Sequence, residues 1–374
     1  MTVNAATTER RTAGRGRVTI SDLAAHLGVT KSTVSRALNG YSDIAEATQL
    51  RVKRAAAQLG YRPLSHAQAI RTGRSRALGF VLQSDLHDGY RPFLSEFLAG
   101  MTHAASTENW TLTVAQAESE DDVLDTFERL IAEHKVDGFV LPRTKSADPR
   151  IDRLRAMDVP FVLFGRTARP DGCAWFDISG ETAMAAAVAR LADMGHRRIA
   201  HIGGAEGFHY TRLRAEGYRD GLRAAGLPWD PRLVCHDAAG HTDGRAAARR
   251  LLTLDRPPTA IVAAVDLAAL GAYQAIAEAG LTVGREVSVI AYDGTPLAAY
   301  AAPPLTTFSV DSRHAGARLA ALLIARIRGA APEDLREVVE ATLIVRGSDG
   351  PPVLTSHDLG ARLAQSRAMG PLHP

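Results

Sequence analysis

Val18-Thr-Ile-Ser-Asp-Leu-Ala-Ala-His-Leu-Gly-Val-Thr-Lys-Ser-Thr-Val-Ser-Arg-Ala-Leu-Asn-Gly40 is the stretch whose reading decides the fold. Ile20, Leu23, Ala24 and Leu27 recur at intervals of three and four, the spacing of a helix with one buried face. Thr19 followed three residues later by Asp22 fits a capping box, in which each side chain serves the other's amide. Gly28 can take the left-handed conformation that ends such a helix. Thr30 then caps a second helix with Val34 and Leu38 turned inward. Beyond the stretch, a third helix runs from about residue 45 to 59, with Leu50, Val52, Ala56 and Leu59 available for packing and Gly60 to stop it. Three short helices, the first two joined by a tight turn, are the layout of a helix-turn-helix unit.

The charge distribution agrees. Residues 1–76 hold 13 Lys and Arg against four Asp and Glu, a net +9, whereas the other 298 residues carry 31 against 37. A small basic head on an acidic body points to a polyanionic partner for the head. With 374 residues, 46% hydrophobic and 23% charged, the chain has material for two or three globular domains, and fibrous or wholly disordered classes are excluded. The basic N-terminus has no apolar segment behind it, so no secretory signal is expected. Cys173 and Cys235 have no metal or redox spacing, which suits a cytoplasmic location. No membrane segment and no cofactor are expected.

Residues 1–16 read as a disordered arm and 17–62 as the helix-turn-helix domain. Residues 63–76 form a short helix (64–71) and polar linker. From residue 77 the pattern changes to apolar runs alternating with amphipathic helices, giving an α/β body over 77–350 with parallel sheets covered on both faces. Strands are expected at 78–82, 112–115, 138–141, 161–164, 199–202, 260–264 and 287–291. Helices are expected at 93–107, 121–133, 181–194, 214–225, 243–252 and 266–279. These suffice for two sheets, with a break near 167–177. Residues 351–374, rich in Pro and Gly at their start, read as a flexible tail.

The head stretch, with Arg51-Val and Leu59-Gly-Tyr-Arg-Pro63, resembles the bacterial lactose/galactose repressor (LacI-type) family. So do Gly195-His-Arg-Arg-Ile-Ala200, Arg214-Ala-Glu-Gly-Tyr218, Val287-Ser-Val-Ile-Ala-Tyr-Asp293, Pro304-Leu-Thr-Thr307 and Arg346-Gly-Ser348. The resemblance covers about residues 18–348. It implies a dimeric DNA-binding repressor, with a tetramer as the alternative, whose two-subdomain body is similar to a periplasmic sugar-binding protein and answers to a small molecule.

On the second helix, Lys31 and Ser32 are exposed in the first turn and Arg36 lies one turn on. Arginine can grip guanine O6 and N7 with two bonds, so Arg36 is the leading candidate for base readout. Thr30, Thr33, Ser35 and Asn39 carry groups that suit phosphates. The 64–71 segment resembles the family's hinge helix, and Ile70 falls where an apolar wedge would enter the minor groove.

In the body, a cleft beyond the carboxyl ends of the strands is the expected ligand site. Asp293 follows a strand facing it, and Arg214 opens a helix and matches the arginine with which the family grips its effector. The competing role for either is a cap or salt bridge. Phe93 could stack on a sugar face, and Asp177 and Asp266 are weaker candidates. Val265 stands where the family often has asparagine and Ser179 where it often has aspartate, so the pocket is not a copy of the common sugar site. Val159-Pro-Phe-Val-Leu-Phe-Gly-Arg166 leans towards α-glucoside regulators. No Gly-x-Ser-x-Gly elbow, Cys/His pair or His-Glu metal spacing is present, so no catalysis is expected. The remaining readings are a sugar-binding protein without a DNA role and a sugar-acting α/β enzyme.

Overall fold

The computed structural model describes residues 18–61, 74–83 and 94–368. The chain divides into two compact units, residues 1–75 and 76–374. The expected arm, the 64–71 helix with Ile70, and Phe93 lie outside the described residues.

The first unit has three helices, α1 (Ile20–Leu27), α2 (Lys31–Leu38) and α3 (Glu46–Leu59). The capping box forms: the Asp22 amide donates to Thr19 Oγ1 at 3.3 Å and the Thr19 amide donates to Asp22 Oδ2 at 2.8 Å. Gly28 ends α1 at φ 66°. The Thr33 amide donates to Thr30 Oγ1 at 3.1 Å and starts α2 within two residues of that turn. Leu23, Ala24, Val34, Ala37, Val52, Ala55 and Ala56 make the core of this unit. Leu50, expected to pack, is instead 48% exposed. The buried stripe of α3 is Val52, Ala55, Ala56, and a residue two before its start points to the opposite side of a 3.6-residue turn.

The second unit is built on two six-stranded sheets. In chain order the strands are β1 (Ala77–Gln83), β2 (Thr111–Ala117), β3 (Gly138–Leu141), β4 (Phe161–Phe164), β5 (Ala174–Ile178) and β6 (Ile199–Ile202). They continue as β7 (Val234–Cys235), β8 (Ala260–Ala263), β9 (Ser288–Asp293), β10 (Thr306–Ser309), β11 (Arg336–Val339) and β12 (Thr342–Ile344). The sheet orders are β11-β5-β4-β3-β1-β2 and β12-β10-β9-β8-β6-β7. All described pairings are parallel except β10–β12, which is antiparallel, so one edge departs from the all-parallel expectation.

Each sheet with its helices makes a lobe. In the first lobe α4 (Leu94–Thr107) packs on α12 (Ser312–Ile327), with α5 (Glu120–Ala132) and α6 (Pro149–Ala156) on the other face. In the second, α7 (Gly180–Asp193) packs on α8 (His209–Ala224), and α9 (His241–Leu252) on α10 (Asp266–Glu278). A short α11 (Pro296–Tyr300) precedes β10. The chain passes between the lobes at 178–180, 309–312 and 339–342. The break therefore lies just after β5, not across 167–177. The strand Ala174-Trp-Phe-Asp-Ile is short and carries an acid, which hid it from a search for apolar runs.

The stretch after Gly350 is not a loose tail as far as residue 368. It forms α13 (Ser356–Ala368), whose Leu359 and Leu363 are buried in the apolar core of the second lobe. Leu359 and Leu363 recur at four, a helical interval among polar neighbours. The Pro-Gly start of the segment masked it.

Candidate functional site

Among the described residues, two places are candidates for a binding site. The first is the outer face of α2. Lys31 and Ser32 are exposed in its first turn, and Arg36 stands exposed in its last. Arg36 is not loose: Nη2 is hydrogen-bonded to Asp43 Oδ2, and the guanidinium lies over the Tyr41 ring, 5.2 Å from its centre. Thr30 and Thr33 hydroxyls are bonded to each other at 2.9 Å, and Asn39 Nδ2 donates to the Ser35 carbonyl at 2.6 Å. These three shape the two ends of the helix, and Ser35 is half-buried. Thr30, Lys31, Ser32 and the clamped Arg36 are the exposed side chains here, with Thr33, Ser35 and Asn39 half-buried beside them.

The second place is a cavity of about 700 Å³ between the lobes of the second unit, at the carboxyl ends of β3, β4 and β9 and walled by the crossovers at 178–180 and 309–312. Its volume falls in the ~300–1,000 Å³ range of small-molecule sites. Arg214 dominates one wall. It sits in the second turn of α8, which begins at His209 rather than at Arg214. Its guanidinium lies between the rings of Tyr292 (3.8 Å) and Tyr210 (4.7 Å), while Nη1 donates to the Ala264 carbonyl at 2.6 Å. Asp293 Oδ1 is 3.9 Å from Nη1, a loose ion pair that brings the two side chains to one cavity. Nε of Arg214 is buried without a hydrogen-bond partner among the described residues. Room for the arginine stem comes from Gly180, where a Cβ would stand 2.9 Å from Arg214 Cγ and 3.0 Å from Nε.

Asp293 closes β9 at φ 123°, turning its carboxylate into the cavity beside Gly294. Asp177 also lines the cavity, but Arg166 Nε donates to it at 2.5 Å. Burial pushes the Asp177 carboxyl up from its ordinary value, with Arg166 pulling it partly back. Asp266 is not in the cavity. It is fully buried at the start of α10, where the Thr295 amide (2.7 Å) and Thr307 hydroxyl (2.6 Å) donate to it. Its carboxylate ties α10 to the segments before and within β10, so its role is structural.

The sequence reading missed the residues that join the lobes over the cavity. Arg166 reaches from the first lobe to Glu181 of α7, with Nη2–Oε distances of 2.6 and 2.8 Å. The loop after β3 pairs with the segment before α8: the His209 amide donates to the Thr144 carbonyl at 2.9 Å and the Ser146 amide to the Gly207 carbonyl at 3.3 Å. Ser146 Oγ and His209 Nδ1 are 3.2 Å apart, and the Arg143 guanidinium covers the Phe208 ring at 4.3 Å. Burial and the nearby Arg212 and Arg166 push the His209 pKa down to about 4, so its ring is neutral at pH 7. Tyr210 was legible as the residue one turn before Arg214. The others are brought together only by the fold.

A family model described as bacterial regulatory proteins, lacI family, matches residues 19–64, and one described as a periplasmic binding protein-like domain matches residues 188–348. The HTH-type transcriptional regulator AglR of Rhizobium meliloti is 36% identical over 89% of this chain and 95% of its own. CelR of Thermobifida fusca, an HTH-type transcriptional regulator, is 34% identical over 89% and 99%, and the repressor CytR of Escherichia coli K12 is 30% identical over 88% and 96%. Among solved structures, a CelR–cellobiose complex superposes with a TM-score of 0.69 at 32% identity, over 89% of this chain and all of that one. The Lac repressor dimer bound to operator and an anti-inducer gives 0.74 at 25% identity, over 90% and 100%. Among the described residues no helix is long and apolar enough to cross a membrane.

Proposed function

The chain belongs to the LacI family of bacterial regulatory proteins and is a DNA-binding transcriptional regulator; from that premise we propose that it represses sugar-utilisation genes as a dimer, and that a sugar held between the lobes of the body controls its grip on a near-palindromic operator. The single observation that carries the effector reading is Arg214, which lines the cavity with its guanidinium over the rings of Tyr210 and Tyr292 and Asp293 3.9 Å away. A guanidinium with Asp293 opposite can hold vicinal hydroxyls by charge-assisted bonds, and the aromatic walls suit the apolar face of a sugar ring. Phe93, outside the described residues, is proposed to add to that wall.

In this reading α2 presents Lys31, Ser32 and Arg36 to the major groove, with residues 17–62 as the reading head. Residues 63–76, with Ile70 as minor-groove wedge, couple the head to a body over 77–350 that binds effector and dimerises. A single helix-turn-helix reads too few base pairs for specificity in a genome, which is why two heads are needed.

The test is a panel of sugars titrated against the full chain by calorimetry. It starts with α-glucosides, favoured by the likeness of residues 159–166 to α-glucoside regulators. It also includes cellobiose, which the similar CelR complex contains. One sugar is expected to bind and to shift operator affinity, and by reciprocity the operator shifts sugar affinity by the same factor. A panel in which no sugar binds, or binding unchanged in Arg214→Ala, overturns the effector reading.

A further inference from the structure

Arg36 is held before any DNA arrives, and the residues holding it come from the turn after α2. The Tyr41 amide donates to the Arg36 carbonyl at 3.1 Å and the Ile44 amide to the Tyr41 carbonyl at 3.1 Å, so the turn after α2 folds back on the helix end. Gln49 of α3 fixes it from the other side, its Nε2 donating to the carbonyls of Tyr41 and Ile44 at 3.0 Å each. The turn thus presents the Tyr41 ring to one face of the Arg36 guanidinium and the Asp43 carboxylate to Nη2.

We propose that Asp43, through this clamp, is a positioning residue that sets how selectively Arg36 reads its base. The inference rests on the reading of α2 as the recognition helix. Nη2 has two hydrogens, so one bond to Asp43 leaves its second hydrogen and those of Nη1 for the end-on fork that guanine accepts at O6 and N7. A free arginine loses its rotamer freedom on docking, and pre-ordering one such side chain is worth about two- to tenfold in affinity. That gain arises only where the fork meets its matching base. Everywhere else Asp43 is an anion beside a polyanion and weakens binding whatever the sequence. The carboxylate therefore acts with opposite sign on matched and random DNA, and this is what separates a positioning role from a plain surface charge.

The test uses the full chain and a pool of duplexes with a randomised core of about 20 base pairs, long enough for two half-sites one helical turn apart. Wild type, Asp43→Ala, Asp43→Asn, Arg36→Ala and the Arg36→Ala/Asp43→Ala double variant are each used to enrich the pool, which is then sequenced. Wild type is expected to enrich an inverted repeat with a guanine preference at one symmetric position that Arg36→Ala loses. Asp43→Ala should weaken that one preference about two- to tenfold and leave the other positions alone, while tightening binding to unselected DNA. Asp43→Asn, which keeps an acceptor without the charge, should fall between. The double variant should match Arg36→Ala in its base preferences while binding unselected DNA more tightly. An Asp43→Ala profile equal to that of wild type, or changed evenly at all positions, overturns the inference and leaves the DNA-reading role of α2 intact. A wild-type chain that enriches no sequence overturns both.

Discussion

Gly180 shows how much one absent side chain decides. It begins α7 at the first crossover between lobes, and the space its missing Cβ would fill is occupied by the stem of Arg214. Gly180→Ala is therefore expected to push the guanidinium out from between Tyr210 and Tyr292 without unfolding the body. The cost to effector binding should be at least tenfold, close to that of losing one charged hydrogen bond at about 1.5–3 kcal/mol. Calorimetry with the sugar found in the panel, beside a thermal melt, checks this: unchanged affinity with unchanged stability would mean Arg214 does not hold the ligand. Arg214 and Asp293 were legible as residues, and their pairing was expected. Asp266 was misread because a carboxylate opening a helix looks the same in sequence whether it faces a cavity or, as here, receives bonds from Thr295 and Thr307 in the interior.

At the scale of elements, the helix pairs of the body meet backbone to backbone. A Cβ at Gly316 of α12 would overlap the Phe97 carbonyl oxygen of α4, and one at Gly100 of α4 would overlap the Arg313 carbonyl oxygen of α12. Gly217 makes the same approach to Glu181 between α8 and α7, and Gly244 to Ala268 between α9 and α10. Such spacing leaves nothing flexible to yield. Gly316→Ala should cost about 1–3 kcal/mol of stability by overpacking, although alanine is the better helix former. Urea unfolding would show it; a gain in stability would mean that α12 slides on α4 at no cost. The apolar periods of these helices were readable in the sequence. Which glycines touch a neighbour was not, because the contact is set by a partner helix more than 200 residues away in the case of α4 and α12.

Across the whole body, three crossovers and the contacts at 143–146, 166 and 207–209 bring the lobes together over the cavity. Neutral histidines lie at that contact, where His209 meets Ser146, and inside the second lobe, at His196 and His201. His201, stacked on Tyr218 at 4.9 Å, bonds to the Val262 carbonyl at 3.0 Å; a carbonyl only accepts, so Nδ1 carries the hydrogen. Complete burial pushes its pKa down to about 4, as at His209, and burial also lowers that of His196. Below about pH 6.5 the unfolded chain takes up protons that these rings refuse when folded. Their contribution to stability is thus complete above pH 6.5 and is lost as pH falls towards 4, on the order of 3 kcal/mol for His201 alone. Urea unfolding at pH 7.5 and 5.0 should show the fall, and His201→Gln should flatten it whatever it does to stability at pH 7.5. A variant with the wild-type slope would assign the loss to other groups.

The sequence by itself determined the caps of the first two helices of the head and the turn at Gly28, which follow from local chemistry, since each capping partner lies within four residues of the other. It also determined that the body alternates strand and helix, because the apolar period changes where the chain enters each element. It did not determine where the lobes divide, what α13 packs on, or that β12 runs antiparallel at its sheet's edge. Those depend on short or polar segments whose apolar face is defined only by what they are laid against. The clamp on Arg36 belongs with them. Asp43 and Gln49 are ordinary polar residues in the sequence, and only the fold brings the turn that carries one under the side chain of the other.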